Sequence, residues 1–228
     1  MSKNIGVLLS GCGVYDGTEI HEAVFSLLAI KSRNANAVCL APDVNQHHVV
    51  NHISGDEMDE QRNVLIESAR IARGEIQPVR DANLSNLDAL VIPGGFGTAK
   101  NHTKWALSGP DGEINNDVKK LIVHFVEAGK PIMGLCMGPT TIAKALEDSD
   151  VKSTMTVGTT KEKSPYDIEG ISGGMEQVGV KAEMKTIKEV MVDEKNKIVT
   201  APCYMMEADV VQVHKNIEQA ADELFKML

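Results

Sequence analysis

Aromatic side chains are scarce in this 228-residue sequence, with one Trp, three Tyr and four Phe making up 4% of it, while Met is common at 11 copies. Positive charge is also in short supply. Lys and Arg number 23 against 32 Asp and Glu, a formal net charge of -9 with a pI near 5.3. That balance sets the average surface potential against phosphate backbones and anionic membranes, so neither nucleic acid nor a membrane is expected as a partner. No run of 18 apolar residues occurs, and the short apolar stretch at the start leads straight into a strand pattern rather than a signal-type segment. A soluble, cytoplasmic protein is the expectation. The four cysteines, Cys12, Cys39, Cys136 and Cys203, form no CxxC pair, which argues against a zinc knuckle and against a secreted disulfide framework. With 43% hydrophobic and 24% charged residues, the chain has an ordinary globular composition, and one domain spanning residues 1–228 can bury its core without staples.

Strand-like apolar runs alternate with amphipathic helical patterns from end to end, the signature of βαβ units around a buried, mostly parallel sheet. Residues 5–9 read as the first strand. Ile20, Ala23, Val24, Leu27 and Leu28 then repeat at helical spacing, so residues 19–32 are expected to form a helix with those side chains on its buried face, begun by an Asp16/Glu19 capping box. A strand over 37–41 ends at Pro42 and gives way to a long polar loop, to about Gln61, that carries His47, His48 and His52. Residues 63–73 read as a helix, 87–92 as a fully apolar strand, 116–129 as a helix closed by Gly129, 131–135 as a buried strand, and the stretch from Pro139 as another helix. Residues 154–157 read as a short strand. Residues 159–180 show little periodicity and read as a lid or an insertion. Residues 190–192 and 198–200 flank Asp-Glu-Lys-Asn as a β-hairpin on the sheet edge. A last helix, about 207–227, is expected to bury Val210, Val213, Ile217, Ala221 and Leu224. No repeat or domain boundary is visible.

Gly134-Leu135-Cys136-Met137-Gly138 stands between a buried strand and a helix and has the G-x-nucleophile-x-G form of a nucleophile elbow with Cys in place of Ser. Such a sharp turn needs glycine two residues to either side of the nucleophile, because side chains there would clash. It also places the sulfur at a helix N-terminus, where free amides and the dipole favour negative charge, so a thiolate with a lowered pKa is expected at Cys136. The N–H groups of Gly94, Gly95, Phe96 and Met137 are candidates to hold the oxygen of an attacked carbonyl. The bland alternative is a small buried hydrophobe in a tight turn. Cys12, Cys39 and Cys203 lack the elbow and read as core or pocket-wall residues.

A thiol nucleophile needs a proton acceptor. Glu19 and Glu22 lie three apart on the first helix, beside the carboxyl end of the first strand where ligands collect in such sheets. Glu22 is the first candidate to hydrogen-bond the thiol and Glu19 the second, with a helix-capping role as its alternative. Either could equally be a solvated surface charge. The loop histidines have no carboxylate or Cys at metal-ligand spacing, so no metal is expected. Pro93-Gly94-Gly95-Phe96-Gly97 lacks phosphate-loop spacing and gives little support for a nucleotide. No cofactor is expected.

The segments Ser10-Gly-Cys-Gly-Val-Tyr-Asp-Gly-Thr-Glu-Ile-His-Glu22, Arg62-Asn-Val-Leu-Ile-Glu-Ser-Ala-Arg-Ile-Ala-Arg-Gly74, Pro93-Gly-Gly-Phe-Gly-Thr-Ala-Lys-Asn101 and Lys197-Ile-Val-Thr-Ala-Pro202 resemble the ElbB family. That family sits in the superfamily of PfpI-type and class I glutamine amidotransferase-like domains. The resemblance spans almost the whole chain. It implies a flavodoxin-like three-layer sandwich, often a homodimer, and a cofactor-free glyoxalase-like activity converting glyoxal to glycolate, with an indirect link to isoprenoid biosynthesis. By position Cys136 matches the superfamily nucleophile and Glu22 or Glu19 the assisting carboxylate. Amidotransferases and PfpI-type peptidases add a catalytic His, whereas the late strand here ends in Thr-Ala-Pro-Cys-Tyr, which weighs against glutaminase and peptidase activity. The implied chemistry is addition of the thiolate to an aldehyde, proton movement between two carbons by Glu22, and release by water. A redox-sensing regulator built on an oxidisable Cys136 is the rival from another class.

Overall fold

The computed structural model describes residues 2–228. Nine strands and seven α-helices follow in chain order: β1 (Asn4–Leu8), α1 (Ile20–Ser32), β2 (Asn36–Ala41), α2 (Val64–Ile71), β3 (Ile76–Pro78), β4 (Ala89–Ile92), α3 (Trp105–Ser108), α4 (Asn116–Glu127), β5 (Ile132–Leu135), α5 (Gly138–Leu146), β6 (Thr154–Met155), α6 (Ile168–Gln177), β7 (Lys181–Ala182), β8 (Met191–Asp193), β9 (Ile198–Ala201) and α7 (Val210–Lys226). Seven strands form one sheet in the order β3-β2-β1-β4-β5-β9-β8, and β6 pairs with β7 in a separate two-stranded ribbon. Every pair in the large sheet is parallel except β8 with β9. Helices pack on both faces, α1 against α7 and α4 against α5. This is the expected three-layer α/β sandwich, with the hairpin at the sheet edge, where Glu194-Lys-Asn-Lys197 turns the chain and Asp193 ends β8.

In the central strands β1, β4, β5 and β9 every residue but Asn4 is buried and most are aliphatic, as in strands covered on both faces. The order reverses between β1 and β4, and such a reversal opens a crevice at the carboxyl ends of the strands. Loops after β1, β4, β5 and β9 converge there. β3 was not foreseen because it is three residues long and ends in Pro78. It tolerates proline by lying at the edge, where a missing N–H costs no ladder bond.

Three local expectations are corrected. Asp16 does not cap α1: its Oδ2 accepts the Val50 N–H at 2.8 Å, and Glu19 is the N-cap, accepting the Glu22 N–H at 2.7 Å. The apolar face predicted for α1 is turned outward in part, with Ile20, Val24 and Leu28 exposed at 43%, 45% and 49%. The helix instead buries Glu22, Ala23, Ser26, Ala29 and Ile30. Its small residues allow close approach to α7, and its rotation is pinned by Glu22, whose carboxyl is held by backbone amides from two other loops. Val210, the first residue of α7, is likewise exposed.

Residues 168–177, read as aperiodic, form α6. Glycines at 170, 173 and 174 hide the pattern, yet Ile168, Ser172 and Met175 fall on one buried face and Asp167 caps the start. A Cβ on Gly174 would stand 3.0 Å from the Trp105 ring, so the glycine lets α6 close down on α3.

Candidate active site

Cys136 follows β5 with φ 53°, a left-handed backbone that a β-carbon makes costly. The strain is held by the neighbours: its N–H donates to the Ala201 carbonyl at 3.0 Å, continuing the β5/β9 ladder past the end of the strand. Both flanks are tight, Gly134 against the elbow's own backbone and the helix after it, and Gly138 against β4 across the fold. A Cβ on Gly138 would lie 2.5 Å from the Ile92 carbonyl oxygen, and one on Gly134 would lie 2.8 Å from Ile142 Cδ1. Gly94, at the end of β4, is tighter still, since its Cβ would meet Cys136 Cβ at 2.5 Å and Glu22 Oε2 at 2.9 Å.

The two glutamates have distinct places. Glu22 is completely buried, with Oε2 accepting the Gly94 N–H at 2.8 Å and Oε1 the Tyr204 N–H at 3.4 Å, and its carboxyl lies beside the Cys136 thiol, the two standing 2.9 and 2.8 Å from where a Cβ on Gly94 would sit. Burial, reinforced by the charge of Glu19, pushes Glu22 up from 4.5 to about 8. Glu19, unlike Glu22, lines the cavity that opens above Cys136, with its Oε2 taken up in capping α1.

The thiol departs from expectation. Burial, and then the Glu22 charge, push Cys136 up, against the opposing pull of the Gly95 and Met137 N–H groups that donate to the sulfur. A helix N-terminus favours a thiolate only when desolvation and a neighbouring carboxylate do not outweigh it. With both groups pushed up, the pair holds both its protons below about pH 8, and the single negative charge left when the first proton goes is shared between carboxyl and sulfur.

Of the four candidate oxyanion donors, two are already committed: the Gly94 N–H to Glu22, and the Phe96 N–H to the Val14 carbonyl at 2.7 Å. Gly95 and Met137 remain, and their N–H groups converge on the sulfur. Gly95 has φ 95°, and a Cβ there would stand 2.5 Å from Glu19 N, so the loop after β4 lies directly on the start of α1.

A cavity of 420 Å³ opens over this cluster, with Cys136, 5% exposed, at its floor. Among the described residues no His, Lys or Arg lines it. His21 is near, bonded through Nδ1 to the Tyr204 hydroxyl at 2.8 Å, but it faces the solvent side. Of the loop histidines, His52 Nε2 accepts the Tyr15 N–H at 3.2 Å and His48 lies 3.8 Å from Glu57. Among the described residues no group of three or more His, Cys, Asp or Glu is placed to hold a metal ion, and no helix is long and apolar enough to cross a membrane.

Two features escaped sequence reading. Cys203, read as a core or pocket-wall residue, is fully buried with φ 47°, and its thiol lies against the backbone of Cys136. The β5/β9 register, Leu135 opposite Ala201, would have placed the two cysteines together had the strand pairing been known. The second is the π-helical turn Thr98–His102, whose Asn101 amide donates to the Ser10 and Asp16 carbonyls at 2.9 and 3.0 Å and so ties the loop after β4 to the loop after β1.

A strained cysteine elbow at the carboxyl edge of a parallel sheet, backed by a buried glutamate, defines an amidotransferase-like α/β protein. The chain belongs to the family of glutamine amidotransferase-like class 1 domain proteins. It is 42% identical over 220 residues to the human protein named glutamine amidotransferase-like class 1 domain-containing protein 3, mitochondrial, covering 95% of this chain and 80% of that one. It also matches the structure of an isoprenoid biosynthesis protein with amidotransferase-like domain from Ehrlichia chaffeensis, at 31% identity, TM-score 0.89 and 99% coverage of both chains. A glyoxalase III from Candida albicans has the same fold, with TM-score 0.63 at 14% identity over 99% of this chain and 97% of that one. No family model matches the sequence. The cytoplasmic expectation is overturned, because the curated relatives are named as mitochondrial proteins. Acidic composition and free thiols suit any reducing compartment and could not separate the two.

Proposed function

We propose that the protein is a cofactor-independent glyoxalase-like enzyme that converts glyoxal, or a related small reactive aldehyde, to a hydroxy acid through a hemithioacetal on Cys136. The observation that carries this reading is that the Cys136 thiol, at the floor of an open cavity, stands beside the carboxyl of the buried Glu22. A nucleophile and a proton acceptor in contact are what the chemistry requires. Because one carbon is oxidised as its neighbour is reduced, no outside oxidant is needed.

In the first step the thiol proton passes to the Glu22 carboxylate as sulfur bonds to one aldehyde carbon. The carbonyl oxygen, held by the Gly95 and Met137 N–H groups, then takes that proton. Glu22 next removes the hydrogen on the same carbon, giving an enediolate, and returns it to the neighbouring carbon while the hydroxyl proton moves to the neighbouring oxygen. The product is a thioester of the hydroxy acid. Water cleaves it, releasing the acid and restoring the thiol. A carboxyl near pKa 8 is suited to both taking and giving a proton near neutral pH. Acyl transfer from glutamine or a peptide is less well supported, since no His lines the cavity among the described residues.

Within the family we place the chain with the ElbB-type members, on its four motifs and the Ehrlichia relative. The names of the curated relatives support a mitochondrial location, which fractionation of the native protein tests. The catalytic reading is tested by following glyoxal loss and glycolate formation: Cys136→Ala is expected to be inactive, and full turnover by that variant would exclude the route.

One observation favours a second reading as a redox regulator, namely the thiol of Cys203 against the Cys136 backbone. A hydroperoxide would transfer one oxygen to the Cys136 sulfur, giving a sulfenic acid and an alcohol or water. The Cys203 thiol would then displace water to form a disulfide. Mass spectrometry of peroxide-treated protein, searched for the 136–203 crosslink, tests it.

A further inference from the structure

The cavity over Cys136 is much larger than a two-carbon dialdehyde requires. Glyoxal has four heavy atoms and fills on the order of 100 Å³ at a water-like volume per atom, whereas the cavity measures 420 Å³. Its walls are also chemically biased. Half of the few aromatic residues in the chain, Phe96, Trp105, Tyr166 and Tyr204, line this one space. Phe96 and Tyr166 meet edge to face, centroids 5.8 Å apart at 70°. The charged groups of the wall are both carboxylates, Glu19 and Asp167, and both serve as helix caps. Lys100 lies 5.2 Å from the Phe96 ring, outside the lining, with its Nζ donating to the Tyr15 carbonyl at 2.9 Å.

We infer that this cavity selects uncharged electrophiles carrying an apolar, aromatic-sized group, and that it discriminates against anionic ones. The inference rests on Cys136 being the reactive thiol of the proposed reaction, and it narrows the substrate class to neutral aryl or alkyl α-oxoaldehydes. Burial of a phenyl-sized surface against aromatic walls raises occupancy about tenfold or more over a compact analogue. A carboxylate brought into the same space meets two like charges and no cation, so it loses at least as much.

The test compares alkylation of Cys136 in the full chain by 2-iodo-N-phenylacetamide, iodoacetamide and iodoacetate, each rate divided by the same reagent's rate with glutathione. The expected order is phenyl reagent fastest by about tenfold, iodoacetate slowest by about tenfold. Ile171→Lys, which places a cation at the half-buried rim, is expected to raise the iodoacetate rate selectively. Normalised rates that are equal, or an advantage for iodoacetate in the unmodified protein, overturn the inference. A parallel assay compares kcat/KM for phenylglyoxal, 4-carboxyphenylglyoxal and glyoxal. If no aldehyde is consumed while the alkylation order holds, the glyoxalase reading fails and the selectivity stands. If glyoxal is consumed but the alkylation order is flat, the selectivity fails and the glyoxalase reading stands.

Discussion

Replacing Glu22 by Gln tests the centre of this structure, because the consequences run in opposite directions. The carboxyl titrates at about 8 in the folded protein against 4.5 when free. Its protonated form is therefore the one the fold favours. Stability from this group is fully present below pH 4.5 and is lost as pH rises through 8. At 1.36 kcal/mol per pH unit, the loss across that window is on the order of 5 kcal/mol, comparable with the whole stability of a small domain. Gln is a neutral mimic of the protonated acid and still offers an oxygen to the Gly94 and Tyr204 amides. Chemical unfolding at pH 5, 7 and 9 should show Glu22→Gln gaining on the parent protein as pH rises. The same change removes the negative charge that raises the Cys136 pKa, so the pH midpoint of iodoacetamide alkylation should fall. Turnover of glyoxal should nevertheless drop by about 10²–10⁴-fold, since the proton carrier is gone. A variant whose thiol ionises at higher pH than the parent, or whose stability tracks that of the parent at every pH, would refute the coupling drawn here.

Other outcomes follow from the same geometry. Gly94→Ala should drive Cys136 and Glu22 apart, since its Cβ would meet both at under 3 Å. Turnover is expected to fall at least 100-fold while circular dichroism reports a folded protein. Gly138→Ala presses on the Ile92 carbonyl and should cost about 1–3 kcal/mol in denaturant unfolding. His102 is buried, with Nε2 3.0 Å from the Leu9 carbonyl and Nδ1 without a partner, and burial lowers it from 6.5 to about 4. Its contribution is present above pH 6.5 and is lost as pH falls towards 4, on the order of 3 kcal/mol. His102→Gln should flatten that acid limb in thermal melts. The Glu22 effect has the opposite sign over part of this range, so each variant is read against the parent at the same pH.

Periodicity and turn chemistry determined much of this protein before any coordinates. The alternation of apolar runs and amphipathic segments specified a parallel α/β sheet, because only strands covered on both faces read as unbroken Val, Ile and Leu. The spacing of Gly134, Cys136 and Gly138 marked the elbow, and Glu22 was within reach of the same crevice by its place after the first strand. What only the tertiary structure decided were the quantities that depend on neighbours distant in sequence. The choice between Glu19 and Glu22, the fate of each backbone N–H in the loop after β4, and the meeting of Cys136 with Cys203 all follow from the β1-β4-β5-β9 order. The charge state of the thiol could not be read from its helix, since burial and a carboxylate 114 residues earlier in the chain outweigh the local dipole. The rotation of α1 obeyed the buried glutamate rather than its apolar stripe, because amide partners for one desolvated carboxyl are worth more than covering a few aliphatic side chains.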